Sequence, residues 1–195
     1  LPVRFSVLCH PQEFLRSTST AKIAVQVLGP ERAQMLVVGG GAVQRGRLQA
    51  LLRSSSSALP QTTATTFVLF PHAPQGEHTM SVSEMMQQLS PSSTTTTIDI
   101  IVPDGSWECC RAMVEALHER QTLDSAKRIC YVRLDEDRVA AYHSPLIEAL
   151  KAGQGQGRIS TLEAIALFLD EASNISGSEG AAATTAAAPA AAAAS

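Results

Sequence analysis

The chain has 195 residues, 45% of them hydrophobic and 17% charged, with a net charge of −3. That suits one domain with a proper core; no apolar run approaches the roughly 20 residues of a membrane helix, and no secretory signal is visible. The expected location is intracellular, cytoplasmic or nuclear, on a reading of the cysteines as reduced thiols, and a start at Leu1 rather than Met places the expected natural start upstream.

The charge is unevenly spread. Residues 1–60 hold seven Arg or Lys against two acids, and the remainder holds eight against sixteen. Such a split can leave one basic face that attracts phosphates. The cysteines, Cys9, Cys109, Cys110 and Cys130, form no C-x-x-C pair and no zinc spacing. They read as reduced, mostly buried thiols, and no metal site is expected.

Residues 3–8 are the first strand candidate, followed by a polar turn. Ile23 with Val27 and Ala24 with Leu28 then form i, i+4 pairs of a helix closed by Gly29 and Pro30. Residues 34–38 are a second strand. Gly39, Gly40 and Gly41 follow it without the spacing of a phosphate loop. Residues 54–66 are a Ser/Thr-rich insertion, and residues 66–70 a third strand. Ser81 and Glu84 make a capping box before Met85, Met86 and Leu89. Residues 90–97 are a second low-complexity insertion, and residues 98–102 a fourth strand. From Ser106, Cys110, Met113, Val114 and Leu117 mark an amphipathic helix. Residues 129–133 are the fifth strand. A second capping box, Ser160 with Glu163, opens a helix with Leu162, Ile165, Ala166 and Leu169 inward. Residues 1–175 read as one domain and 176–195 as a disordered Ala-rich tail, because that segment offers no face to bury. Several strands are continuously apolar, as in strands covered on both faces. The alternation predicts an α/β fold with a mostly parallel sheet flanked by helices.

Four segments gather chemistry where such folds place their sites, at strand ends. After the first strand, His10, Glu13 and Arg16 stand among Thr and Ser hydroxyls. Helix capping explains the hydroxyls but not the other three. Leu69-Phe70-Pro71 ends the third strand. Asp104-Gly105-Ser106-Trp107 joins the fourth strand to its helix; Asp104 reads either as a helix cap or as a working carboxylate. Trp107 reads as a core anchor or a stacking surface for a nucleobase. Gly157 and Arg158 lead into Ser160-Thr161-Leu162-Glu163-Ala164, where the capping box accounts for Ser160 and Glu163.

Together these segments resemble the DTW-domain family. That family has a His-Pro-x-Glu segment running into Arg, a strand ending in Phe-Pro or Tyr-Pro, an Asp-x-Thr-Trp motif with an Arg behind it, and a Ser-Thr-Leu-Glu-Ala helix. They stand here in the same order as His10-Pro11-Gln12-Glu13 with Arg16, Leu69-Phe70-Pro71, Asp104-Gly105-Ser106-Trp107 with Cys110-Arg111, and Ser160 to Ala164. Tyr131-Val132-Arg133 is a shortened form of the family's Tyr-x-x-Arg strand. Ser106 replaces the motif's Thr, Thr18-Ser19-Thr20 replaces Thr-Asn-Thr, and the family's cysteine-rich N-terminal segment is absent.

The resemblance implies a SPOUT-like domain with a C-terminal knot. It also implies transfer of the 3-amino-3-carboxypropyl group of S-adenosylmethionine to N3 of a uridine in tRNA, releasing methylthioadenosine. In that reading Asp104 is the catalytic base or orienter. The cofactor is held by Leu69, Phe70 and Pro71, by Gly105, Ser106 and Trp107, and by Thr161, Leu162, Glu163 and Ala164. His10, Glu13, Arg16 and Arg111 contact the substrate. Two alternatives are a SPOUT-type RNA methyltransferase using the same cofactor and a catalytically inactive RNA-binding relative.

Overall fold

The structure is a computed structural model that describes residues 3–54, 65–89, 97–122, 128–150, 153 and 155–185. Six strands form one sheet: β1 (Val3–Cys9), β2 (Ala33–Val37), β3 (Thr65–Leu69), β4 (Thr79–Ser81), β5 (Ile98–Asp104) and β6 (Arg128–Arg133). Their order is β2-β1-β5-β3-β6-β4, and every pairing is parallel. The helices are α1 (Pro11–Phe14), α2 (Thr20–Leu28), α3 (Ala42–Ser54), α4 (Val82–Gln88), α5 (Trp107–Thr122), α6 (Glu136–Ala141), α7 (Pro145–Leu150) and α8 (Thr161–Thr185).

Alternate residues of each central strand feed two cores, as a period of two requires. Phe5, Val7, Phe67, Ile100, Val102 and Val132 meet α2, α4 and α8 on one face, around Phe168 and Met85. Leu8, Val68, Ile101 and Tyr131 meet α3 and α5 on the other, around Leu51, Met113 and Leu117. Both faces are therefore covered, which is why these strands carry so few polar residues. Each of the five expected strands is present within a residue or two. Both capping boxes form, one with Ser81 and Glu84 and the other with Ser160 and Glu163.

There are three departures, and two of them have a plain physical reason. On α2, Ile23 and Val27 are exposed, and Ala21 and Ala24 face the core; small side chains let the helix lie close to the sheet and to α8. On α8, Ala166 is exposed while Leu167 and Phe168 are buried. That helix also runs to Thr185, beyond the boundary expected at residue 176, and the alanines it enters are the best intrinsic helix formers. Residues 55–64, 90–96 and 186–195, which hold most of the two expected insertions and the end of the tail, lie outside the described residues. No helix among the described residues is long and apolar enough to cross a membrane.

Candidate functional site

The C-terminal ends of β3, β5 and β6 open onto a cleft of about 870 Å3, a volume within the roughly 300–1,000 Å3 usual for small-molecule sites. One wall is Leu69, Phe70 and Pro71 with Pro103, Gly105 and Trp107; a second, joined to it where Thr161 meets Asp104, is Gly157, Arg158, Ile159, Ser160, Thr161 and Ala164. Val132 to Leu134, Glu136 and Val139 close the third side. Apolar surface predominates, with charge confined to Arg133, Glu136 and Arg158, and Arg133 is paired with Glu136.

Local sequence explains how each wall is held. Phe70 continues β3 for one residue by donating its N–H to Val132 O at 2.9 Å, and Pro71 then leaves no donor for further pairing. The Phe70 ring stacks on Trp107 at 5.0 Å, and His72 meets the same indole edge-on at 5.5 Å. Trp107 is nonetheless half exposed, so the indole is held by aromatic neighbours rather than sunk in the core. Gly105 stands in a tight place: a Cβ there would lie 3.2 Å from both His10 Cβ and Cys109 Cβ, so a larger residue would require those neighbours to shift by a few tenths of an ångström. Gly157, with φ +64°, turns the chain back so that its N–H reaches Tyr142 O before α8 begins.

Asp104 is the last residue of β5 and is buried. It does not cap α5. Ser106 does, its Oγ accepting from Cys109 N at 3.3 Å. The Asp104 carboxylate instead accepts from the Thr161 hydroxyl at 2.5 Å on Oδ1 and from the Cys9 thiol at 3.2 Å on Oδ2. The register dictates the second contact, because Cys9 and Asp104 are direct partners across β1 and β5. The thiol has another acceptor in reach, His10 O at 3.4 Å, and the charged oxygen is the stronger of the two. Burial first, then the hydrogen bond to Asp104, pushes the Cys9 thiol up to about 12. Burial, with the Asp104 charge behind it, does the same to Cys110. Both sulfurs therefore stay protonated and are poor nucleophiles near neutral pH.

Of the ten residues expected around a cofactor, Leu69, Phe70, Pro71, Gly105, Trp107, Thr161 and Ala164 line the cleft. The side chains of the other three are engaged elsewhere. Ser106 caps α5, Leu162 packs on the core, and Glu163 is buried in its capping box and bonded to Ser144 Oγ at 2.7 Å from both oxygens. Burial alone would raise the Glu163 carboxyl, but hydrogen bonds from Ser160, Ser144 and Leu146 outweigh it and hold the group below the usual range.

The residues expected to meet the substrate divide. His10 sits against Asp104, donating its N–H to Asp104 O at 2.8 Å while its ring caps α1. Glu13, in α1, and Arg16, just after it, pair at 2.7 Å. Arg111 is on the exposed side of α5, 3.9 Å from Glu115, and does not join them. What the sequence did not yield is the third side of the cleft beyond Arg133, from Leu134 to Ala140 and at Ile147. The C-terminal end of β6 was the available signal, since its neighbour β3 already carried a candidate.

A family model, the DTW domain, matches residues 1–187. Searches of curated proteins and of solved structures gave no match. The matched span contains both walls of the cleft and is consistent with a tRNA-modifying enzyme family. The chain belongs to the DTW-domain family.

Proposed function

We propose that this chain transfers the 3-amino-3-carboxypropyl group of S-adenosylmethionine to N3 of a uridine in tRNA, with methylthioadenosine as the second product. The observation that carries this is a buried carboxylate, Asp104, fixed on both oxygens directly behind the lining of an apolar cleft, between Pro103 and Gly105. The cleft suits S-adenosylmethionine in its chemistry. Apolar walls at Leu69, Leu134 and Ile159 offer a place for the adenine, and Arg133 and Arg158 offer partners for a carboxylate. When bound, the cofactor supplies an electrophilic carbon beside a sulfonium.

The protein must then hold the imide nitrogen in line with that carbon, and positioning of this kind is a large part of a transfer barrier. Overall the imide N–H is replaced by an N–C bond, the C–S electron pair leaves with sulfur, and the imide proton goes to Asp104. An imide is a weak acid, nearer a phenol at about 10 than a carboxyl at about 4. Its proton therefore leaves as the new bond forms, with a fixed carboxylate ready for it. The exposed indole of Trp107, braced by Phe70 and His72, is suited to stacking a nucleobase.

For tRNA itself the support is α3, which contains no acidic residue and exposes Arg45 and Arg47. Phosphate contacts of this kind weaken steeply with salt. For a SPOUT-like knot the support is the position of β6, inserted between β3 and β4. Residues 70–78 must bridge that strand, and an experimental trace in which residues 134–160 never pass within that bridge would remove the knot. The reaction is tested by identifying the second product: methylthioadenosine is expected, and S-adenosylhomocysteine would mean methyl transfer instead.

A further inference from the structure

Asp104 stands one layer behind the cleft. Its neighbours Pro103 and Gly105 line the cavity, and so does Thr161, whereas Asp104 itself is buried with its Oδ1 against the Thr161 hydroxyl. An ionised carboxylate only accepts hydrogen bonds, while a hydroxyl has one proton to give and lone pairs to offer. At 2.5 Å the Thr161 proton is committed to Asp104. The hydroxyl is left as an oxygen that accepts and has nothing to donate. The geometry of Asp104 is set from its other side by Cys9, 3.2 Å from Oδ2 and its register partner across the sheet. Thr161 is fixed in turn because it opens α8, with Ser160 and Glu163 closing the capping box around it.

We infer that Thr161 is the residue that reads the ligand at this point of the cleft, as an obligate acceptor for an N–H donor, with Asp104 and Cys9 positioning it from behind. The identity of the donor rests on the proposed function, which offers two: the imide N3–H of uridine and the ammonium of the cofactor's amino-acid end. With the imide as donor, the same pair forms a proton path. N3–H gives its proton to Thr161 Oγ1 as the Thr161 proton passes to Asp104 Oδ1. N3 keeps the electron pair, Thr161 is regenerated, and Asp104 carries the proton until water takes it.

The test is calorimetric binding of two probes, S-adenosylmethionine and uridine monophosphate, to the wild-type chain, Thr161→Val and Thr161→Ser. Valine keeps the shape and removes the hydroxyl; serine keeps the hydroxyl. Loss of one buried hydrogen bond to a ligand predicts roughly tenfold weaker binding in Thr161→Val, recovered in Thr161→Ser. A loss confined to uridine monophosphate identifies the imide as donor, and a loss confined to S-adenosylmethionine identifies the ammonium. If Thr161→Val destabilises the fold, wild type compared on uridine monophosphate and its 3-methyl derivative gives the same reading, with the N–H form expected to bind more tightly. Equal affinities for both probes across all three chains would overturn the assignment. A wild-type chain that binds no S-adenosylmethionine would instead bring down the proposed function, and the Thr161 assignment with it.

Discussion

Helices α5 and α8 start close together beside the cleft, and a buried acid stands near each start: Asp104 at the end of β5, three residues before α5, and Glu163 in the first turn of α8. Glu163 is consumed by two helix starts: it closes a capping box with Ser160 at α8, and it accepts from Ser144 Oγ, which caps α7 by accepting from Ile147 N. Asp104 gives its carboxylate nothing to do for α5, which Ser106 caps. Its partners come from β1 and from the first residue of α8. An acid whose partners are the caps of two helix starts is explained by folding. One that caps no helix, and is held by β1 and α8 directly behind a cavity lining, is not.

Three substitutions probe that contrast. The largest effect is expected at Asp104. Asparagine keeps the shape and one acceptor but cannot take a proton or hold a charge. Single-turnover transfer by the folded protein should fall by about two to four orders of magnitude, the share usual for a general base, beyond the stability cost of about 1–3 kcal/mol expected for disturbing a buried carboxylate. Near-normal transfer would make the two helix starts equivalent and reduce Asp104 to a structural group.

Glu163→Gln should show the reverse. Disturbing a buried carboxylate with this many donors costs about 1–3 kcal/mol, read from denaturant unfolding, while transfer by the folded protein stays near wild type. The pH dependence follows from the lowered carboxyl. Because the folded form holds the proton less tightly than the unfolded chain, the stabilisation is complete above the unfolded value of about 4.3. It fades as pH falls through the lower, folded value. Wild type and Glu163→Gln should therefore differ most at neutral pH and converge in acid; a gap that widens in acid would reverse the assignment.

The smallest effect belongs to Ser106→Ala, which removes the cap of α5 and should cost about 1 kcal/mol. A loss of S-adenosylmethionine affinity with no loss of stability would show that Ser106 serves the ligand rather than the helix.

Much of this was legible from residues alone, and the failures are instructive. On α5, Cys110, Met113, Val114 and Leu117 are spaced at helical intervals and all four are buried. On α2 the larger apolar side chains, Ile23 and Val27, misidentified the face, because close packing there selects alanine. Strand β4 spans three residues with only Met80 buried, too short for alternation to register. The start of α5 carried two readings of Asp104 that no pattern separates; they part only when the register brings Cys9 alongside and α8 delivers Thr161. Half of the cleft was visible as motifs at the ends of β3 and β5. The rest, around Leu134 to Ala140, comes from a stretch with no motif, brought to the cleft because it follows the end of β6.

The central claim is that the carbon transferred lies on the methionine side of the sulfonium. It is tested most directly by incubating the protein and unmodified tRNA with S-adenosylmethionine labelled either in the methyl group or in the carboxypropyl carbons, then digesting the tRNA to nucleosides. The account predicts carboxypropyl label on a uridine, methyl label only in released methylthioadenosine, and loss of both signals in Asp104→Asn. Methyl label recovered on the tRNA would contradict it.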